Sequence, residues 1–347
     1  MSINESLFPR INPVDPHLQR PFWSVIIPAY NRPDYLAECL ESVLAQAPSP
    51  EDMQILVVDD CSPKELEKTV QEMGKGRVEY YRHFQNRGNA HTFNTGLQKS
   101  TGHWIHVLHD DDWVLPNFYQ KFQRSLLSQP ETVGAVCCRY VISDSNRNWT
   151  WLSELHRLTS GILQDWLSII AVNNPLNPPA VAIKRSVYEH LGGYHCGFMN
   201  GNGEDWEIYK RVASFYDWWY ETEVLACYRH HDKSITRQTV VTGKRTSDLR
   251  IGIDITNTYL PENVRDELTA QAKRNYALIA FGRAVELLNE GIPEGAIGQI
   301  QEGLKLCSEP AVVNALFVQV LTKPTAGTLR QAIAEILLEI EPDWVAL

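Results

Sequence analysis

Short apolar runs that end in polar, turn-forming residues recur through the first two thirds of the chain, each followed by a stretch with helical spacing. Val25-Ile26-Ile27 is a β-branched run stopped by Pro28. After Pro33, a favoured first-turn residue, Leu36, Leu40, Val43 and Leu44 fall on one helical face. Ile55 to Val58 predicts a second buried strand ending in Asp59-Asp60-Cys61-Ser62, then a helix from Pro63 to about Met73 and a strand near Val78 to Tyr81. Asn86-Arg87-Gly88 opens a helix that runs to Lys99. Ile105 to Leu108 lies between Gly102 and three consecutive carboxylates, Asp110, Asp111 and Asp112, and reads as a central strand of a parallel sheet. A helix is expected over 116–128 and a strand from Gly134 to Ile142. This alternation predicts βαβ units: an α/β fold with a mostly parallel sheet flanked by helices.

The next section is less regular. Asn173 to Pro179 holds three prolines in five residues and must be a loop. Ala180 to Ile183 resumes a strand, and a short helix from Ser186 ends at Gly192-Gly193. A flexible loop, Gly201-Asn202-Gly203, leads into Glu204-Asp205-Trp206 and a helix to about Ser214, and Val224 to Tyr228 is a last strand. Beyond residue 240 the period changes. Tyr276, Ala280, Ala284 and Leu288, then Ala296, Ile300 and Leu304 after Gly291-Ile292-Pro293, predict an antiparallel helix pair. Ala332-Ile333 and Phe317 repeat Ala296-Ile297 and Phe281 at an offset of 36, a weak sign of a helical-hairpin repeat, so a plain helical bundle is expected. The organisation is an irregular Pro-rich leader over 1–21, an α/β domain over 22–240 and a C-terminal helical domain over 241–347, the last without catalytic groups and available for self-association.

Composition narrows the classes. A 347-residue chain with 44% hydrophobic and 21% charged residues is ordinary for a globular protein. Its net charge of -10 argues against nucleic acid as a partner. No apolar run approaches the ~20 residues of a transmembrane segment. The first residues have neither the basic start nor the apolar core of a signal peptide. Seven scattered cysteines without zinc-site spacing fit a reducing cytoplasm.

The chemistry concentrates at strand ends. Ligands in open α/β sheets bind just beyond the carboxyl ends of the strands, which is where Asp110, Asp111 and Asp112 are delivered. Adjacent carboxylates raise one another's pKa unless a cation sits among them, and oxygen ligands suit Mg2+ or Mn2+. A solvated acidic turn is the bland alternative. His106 and His109 are not a chelating pair, since residues three apart on a strand face opposite sides. A neutral His109 ring beside carboxylates is more often hydrogen-bonded than ligating. Of Trp206, Trp218, Trp219 and Tyr220, some could stack on sugars, but at least two are expected in the core.

Six motifs carry a family resemblance: Val25 to Arg32, Val57 to Ser62, Asn86-Arg87-Gly88, Leu108 to Asp112, Glu204-Asp205-Trp206 and Tyr228-Arg229-His230-His231. Each is weak alone; in this order and spacing, over about residues 22 to 237, the chain resembles a family 2 glycosyltransferase of the GT-A fold. The resemblance implies an inverting, metal-dependent transfer from a nucleotide-diphosphate sugar, a UDP-sugar first among them, to a glycan or other hydroxyl acceptor in polysaccharide biosynthesis. It implies that Pro28, Ala29, Tyr30 and Arg32 receive the nucleoside, that Asp59 or Asp60 accepts a uracil N3–H, and that Arg87 contacts the diphosphate. Asp59 and Asp60 also suit turn and helix capping. His109 replaces the first Asp of the family's usual acidic motif, so two registers are open. Either Asp110 and Asp112 form the ribose and metal pair, or Asp111 takes the metal with Asp110 facing the ribose. His231 completes the metal or diphosphate site, or is a surface histidine. Asp205 is implied as general base with Glu204 supporting; the alternative is that they cap the helix, with Glu207 reaching back in a capping box. A pyrophosphorylase would need a Gly-rich phosphate loop after the first strand, and Pro28 to Arg32 has no glycine. A catalytically silent sugar-nucleotide or glycan-binding module is the other reading of the same fold.

Overall fold

The structure is a computed structural model; it describes residues 8–321 together with Ile333 and Glu335. The start of the expected leader (1–7) and Ala332 of the expected second repeat lie outside the described residues. The chain forms two compact units. One runs to Leu167 and adds Pro175–Gly197 and Glu204–His231; the other gathers Ser168–Asn174, Phe198–Gly203 and the chain from Asp232 on.

Among the described residues ten strands form one mixed sheet: β1 (Trp23–Ala29), β2 (Met53–Asp59), β3 (Glu79–Arg82), β4 (Trp104–Val107), β5 (Trp113–Val114), β6 (Val133–Ser143), β7 (Trp149–Leu152), β8 (Gly161–Ile162), β9 (Val181–Lys184) and β10 (Asp217–Arg229). Their order is β3-β2-β1-β4-β9-β6-β10-β5, with β7 on β6 and β8 on β10. The helices are α1 (Pro33–Leu44), α2 (Leu66–Gly74), α3 (Asn89–Lys99), α4 (Phe118–Leu126), α5 (Trp166–Val172), α6 (Arg185–Leu191), α7 (Glu204–Ala213), α8 (Ile235–Val241), α9 (Lys244–Thr256), α10 (Glu262–Asn289), α11 (Pro293–Leu306) and α12 (Pro310–Leu316). Among the described residues no helix is long and apolar enough to cross a membrane.

β1 lies between β2 and β4, parallel to both, and β3 continues the parallel set. Val25, Ile26 and Ile27 are buried on both faces, which is why the run is continuously apolar rather than alternating. A Cβ at Gly96 would lie 2.3 Å from Ile26 Cγ2, so only glycine lets α3 pack this closely on β1. β9 is antiparallel to both neighbours, whereas β6 and β10 are parallel. The carboxyl ends of β1, β2, β4, β6 and β10 therefore share one edge, and that edge receives the polar motifs.

Three expectations change. β1 does not stop at Pro28 but pairs on through Ala29. Ile26 O accepts from Leu108 N on the β4 side. By alternation Pro28 faces that side beyond the last β4 pair, so its missing N–H costs no ladder bond. The helix expected from Pro63 starts at Leu66, because Ser62 is held in the turn by Asp59. The last strand is 13 residues long, starting at Asp217, and irregular between Glu221 and Val224. It carries Trp218 and Tyr220 into the core, and Trp206 of α7 is also buried, so these three offer no face to a sugar. β5, β7 and β8 escaped sequence reading because two to four residues carry no measurable period.

In the second unit α10 and α11 form the expected antiparallel pair, and α10 is longer than its pattern, 28 residues from Glu262. Phe281 is fully buried there, whereas its repeat partner Phe317 is 42% exposed. The loop Gly201-Asn202-Gly203, expected to be flexible, is bonded within this unit together with Asn200. Buried Asp248 of α9 accepts from Asn200 N (3.0 Å), Asn200 Nδ2 (2.9 Å) and Asn202 N (3.2 Å). Asn202 Nδ2 also donates to Thr239 Oγ1 at 2.9 Å. Asp248→Ala leaves these donors unpaired, a cost of about 1–3 kcal/mol. The expected result is that loss of stability together with faster amide exchange across 198–203, read by denaturant unfolding and hydrogen-exchange mass spectrometry. Unchanged exchange there would show that the loop is held by other contacts.

Candidate active site

The turn after β4 is closed by Asp112 N donating to His109 O (3.1 Å), and it presents three carboxylates in three directions. Asp110 turns to the loop after β1, accepting from Tyr30 N at 3.0 Å and from the Arg32 guanidinium at 3.0 Å. Asp111 pairs with Arg32 and, at 3.0 Å, with His231 Nε2. Asp112 accepts from Arg229 N at 2.8 Å through Oδ1. Its Oδ2 is buried with no hydrogen-bond partner, as are His109 Nε2 and His231 Nδ1.

Burial dominates the electrostatics. It pushes Asp110 up to about 7 against the pull of Arg32. Asp111 is also buried, but the His231 hydrogen bond and the Arg32 charge outweigh that and bring it down to about 2. Asp112 is held well above the usual carboxylate range by burial and by the Asp111 charge. Arg32 is one cation among the carboxylates, and it pairs with two of the three.

Arg229, at the end of β10, braces the turn from behind. It donates from Nε to Asp111 O at 2.8 Å and from its terminal nitrogen to Glu38. Its guanidinium lies 4.3 Å from the Tyr35 ring and 4.7 Å from the Trp113 ring. Sequence reading quoted Arg229 in a motif but assigned it nothing, and gave nothing to Glu38. The only earlier signal for Arg229 was the Tyr228 to His231 motif itself, and Glu38 had none.

The loops after β1 and β2 interlock: Asp60 N donates to Ala29 O (3.0 Å) and Asn31 N to Ser62 Oγ (2.8 Å). Asn31 and Cys61 take the left-handed conformation, φ 59 and 62, that these tight turns need. Asp59 is fully buried, accepts from Ser62 N and Oγ and from Tyr80 Oη (2.6 Å), and forms an ion pair with Arg82, so it shapes the turn. Asp60 takes Arg87 N and Gly88 N, each at 2.8 Å, and pairs with His83 at 2.9 Å, fixing the loop that carries Arg87. Pro28 is half-buried and Ala29 buried, while Tyr30 is 43% exposed and Arg87 is exposed, leaving these last two side chains open to a ligand.

Glu204 and Asp205 open α7, Glu204 buried and Asp205 partly exposed with Oδ1 buried and unbonded. Burial raises the Asp205 carboxyl, and the His109 charge opposes this, which places Asp205 within electrostatic reach of the acidic turn. Glu207 directs both carboxylate oxygens to Arg211, at 2.9 Å each, in a fully buried pair. His106 is buried and occupied, at 3.1 Å from Tyr119 Oη and 3.2 Å from Pro179 O, and burial lowers it to about 3.

A fit to a divalent ion is tested by the donor set. His109, Asp111 and Asp112 each offer a ligand atom, all within 4.8 Å of one another. Two of these three residues hold a buried atom with no protein partner. Two carboxylates and an imidazole suit a divalent cation.

A parallel β3-β2-β1-β4 core with interlocked loops and an acidic turn at its carboxyl edge has the arrangement of a GT-A domain. Residues 24–192 match the model of the family described as Glycosyl transferase family 2, so this stretch of the chain is a family 2 glycosyltransferase domain. An uncharacterized glycosyltransferase of Haemophilus influenzae is 27% identical over 173 residues, 49% of this chain and 55% of that protein. Succinoglycan biosynthesis protein ExoO of Rhizobium meliloti is 32% identical over 110 residues, 32% of this chain and 30% of that protein. The chain thus spans about half of the first relative and less of the second. Among solved structures, S. aureus TarS 1-349 in complex with UDP-GlcNAc has a TM-score of 0.61 at 15% identity, covering 86% of this chain and 90% of that one. The mannosyltransferase PcManGT of Pyrobaculum calidifontis, in complex with GDP-Man and Mn2+, has a TM-score of 0.55 at 18% identity, over 97% and 86%. These likenesses establish the fold.

Proposed function

We propose that the chain is a divalent-ion-dependent, inverting glycosyltransferase that moves a sugar from a UDP-sugar to a hydroxyl of a glycan acceptor. The observation that carries this is the unpaired buried Asp112 Oδ2 and His109 Nε2 on the acidic turn, together with exposed Tyr30 and Arg87 side chains on the loops at the same sheet edge. TarS and PcManGT, solved with UDP-GlcNAc and with GDP-Man and Mn2+, support a nucleotide-sugar donor. Asp111 and Asp112, with His109 or His231 beside them, would hold Mn2+ or Mg2+, which would neutralise the charge of the departing diphosphate.

The chain's own residues do the rest. Tyr30 and the Ala29 to Arg32 backbone receive the nucleobase, Asp110 faces the ribose, and Arg87 reaches the diphosphate. Pro28 and the Asp59 and Asp60 carboxylates hold these loops in register. Asp205 takes the proton of the acceptor hydroxyl as its oxygen bonds to the anomeric carbon and the bond to the diphosphate breaks; Glu204 supports the acceptor edge. All seven cysteines are free thiols, as a reducing cytoplasm keeps them. The C-terminal helices are the surface for self-association.

The test is hydrolysis and transfer across a panel of UDP-sugars with and without Mn2+. Turnover that requires the ion is expected. Tight UDP binding with no turnover on any donor or acceptor would instead favour a silent binding module.

A further inference from the structure

Asp110, one of the carboxylates expected at the metal, is committed elsewhere, to Tyr30 N and Arg32. The third ligand-bearing residue that gathers with Asp111 and Asp112 is His109. Its Nε2 is buried and bonded to nothing in the protein. Asp112, only 1% exposed, aims an equally unbonded Oδ2 from the same turn. The His109 ring is held in place: it stacks on Phe93 with centroids 5.4 Å apart and planes 20° apart, and Phe93 is set edge-on by Tyr194 at 4.9 Å. His231 also has a buried, unbonded nitrogen, Nδ1, but it is not one of the three residues whose ligand atoms gather. Its Nε2 is spent on Asp111 Oδ2 at 3.0 Å, the arrangement of a histidine that orients a ligating carboxylate.

We propose that His109 Nε2 is a direct metal ligand, making a mixed nitrogen–oxygen set of His109, Asp111 and Asp112 that selects Mn2+ over Mg2+, with His231 orienting Asp111. The inference rests on the donor-binding function proposed above. Its chemistry is that of ligand softness. Mg2+ prefers oxygen and keeps its waters, whereas an imidazole nitrogen favours first-row transition ions. Where the family's usual acidic motif has its first aspartate, this chain has a histidine.

The experiment is three-pulse electron spin echo envelope modulation on the full chain loaded with Mn2+ and UDP, with calorimetric affinities for Mn2+ and Mg2+. The wild type is expected to show 14N modulation, which His109→Gln abolishes and His231→Asn leaves in place. H109Q should weaken Mn2+ by about tenfold or more, while Mg2+ changes by less than about threefold. Bound Mn2+ without nitrogen modulation, or modulation that survives H109Q and disappears in H231N, overturns the assignment. If H109Q does not fold, modulation retained in H231N still places the coordinating nitrogen at His109, and its loss there overturns the proposal. A wild type with nitrogen-coupled Mn2+ that neither binds nor hydrolyses UDP-sugars keeps the metal site and removes the proposed function.

Discussion

Asp205→Asn should slow sugar transfer by about 10²- to 10⁴-fold, the usual contribution of a positioned general base, while UDP affinity and melting temperature stay near those of the wild type. The substitution preserves size and most capping ability at the start of α7, and it removes only the proton-accepting charge. The reason to expect so large an effect is local. Asp205 Oδ1 is buried with no partner of its own, so no structural bond competes for it. Burial also keeps the carboxyl basic by raising its pKa. Steady-state transfer kinetics beside UDP calorimetry make the measurement. Transfer at close to the wild-type rate would reduce Asp205 to a helix cap and send the search for the base elsewhere.

The second large effect is expected at the acidic turn. Asp112→Asn keeps an oxygen to accept from Arg229 N yet removes the charge at the unpaired oxygen, so the fold should survive. The dependence of UDP binding on Mn2+ should weaken by at least about 100-fold, at or beyond the upper end for residues that only support a ligand. Asp111→Ala should do the same, and it also releases Arg32 and His231 from their shared carboxylate. Calorimetry with UDP at fixed Mn2+ decides the matter. Unchanged, ion-dependent affinity in both variants would move the metal away from this turn.

Much of the donor edge could be read from the chain because its signals are local. An apolar run closed by carboxylates identifies a buried strand and its exit within ten residues, and a parallel sheet then carries every such exit to one edge. The pattern could not say which way each carboxylate points. Asp110, Asp111 and Asp112 share one turn, yet their partners come from the loop after β1 and from the end of β10. Arg229 meets Asp112 across 117 positions of sequence. Glu38 and Arg229 meet across 191, a pairing that no local period encodes. The same limit hid the roles of Asp59 and Asp60, adjacent in sequence. One is sealed by Ser62, Tyr80 and Arg82; the other is turned outward to the Arg87 loop.

By itself, then, the sequence determined most of the order of the longer strands and helices in the first two thirds of the chain and the collection of polar motifs at strand exits. Both follow from burial period and turn chemistry over a few residues, and the family came from the resemblance of those motifs. Tertiary structure alone decided that Arg32 neutralises two carboxylates and leaves the third, that His109 rather than Asp110 gathers with Asp111 and Asp112, and that the loop before Asp205 is bonded to Asp248 rather than free. The physical reason is the same in each case. A side chain's direction and charge state are set by whichever groups packing brings within about 3 Å, the hydrogen-bonding distance, and those groups come from strands and helices far away along the chain.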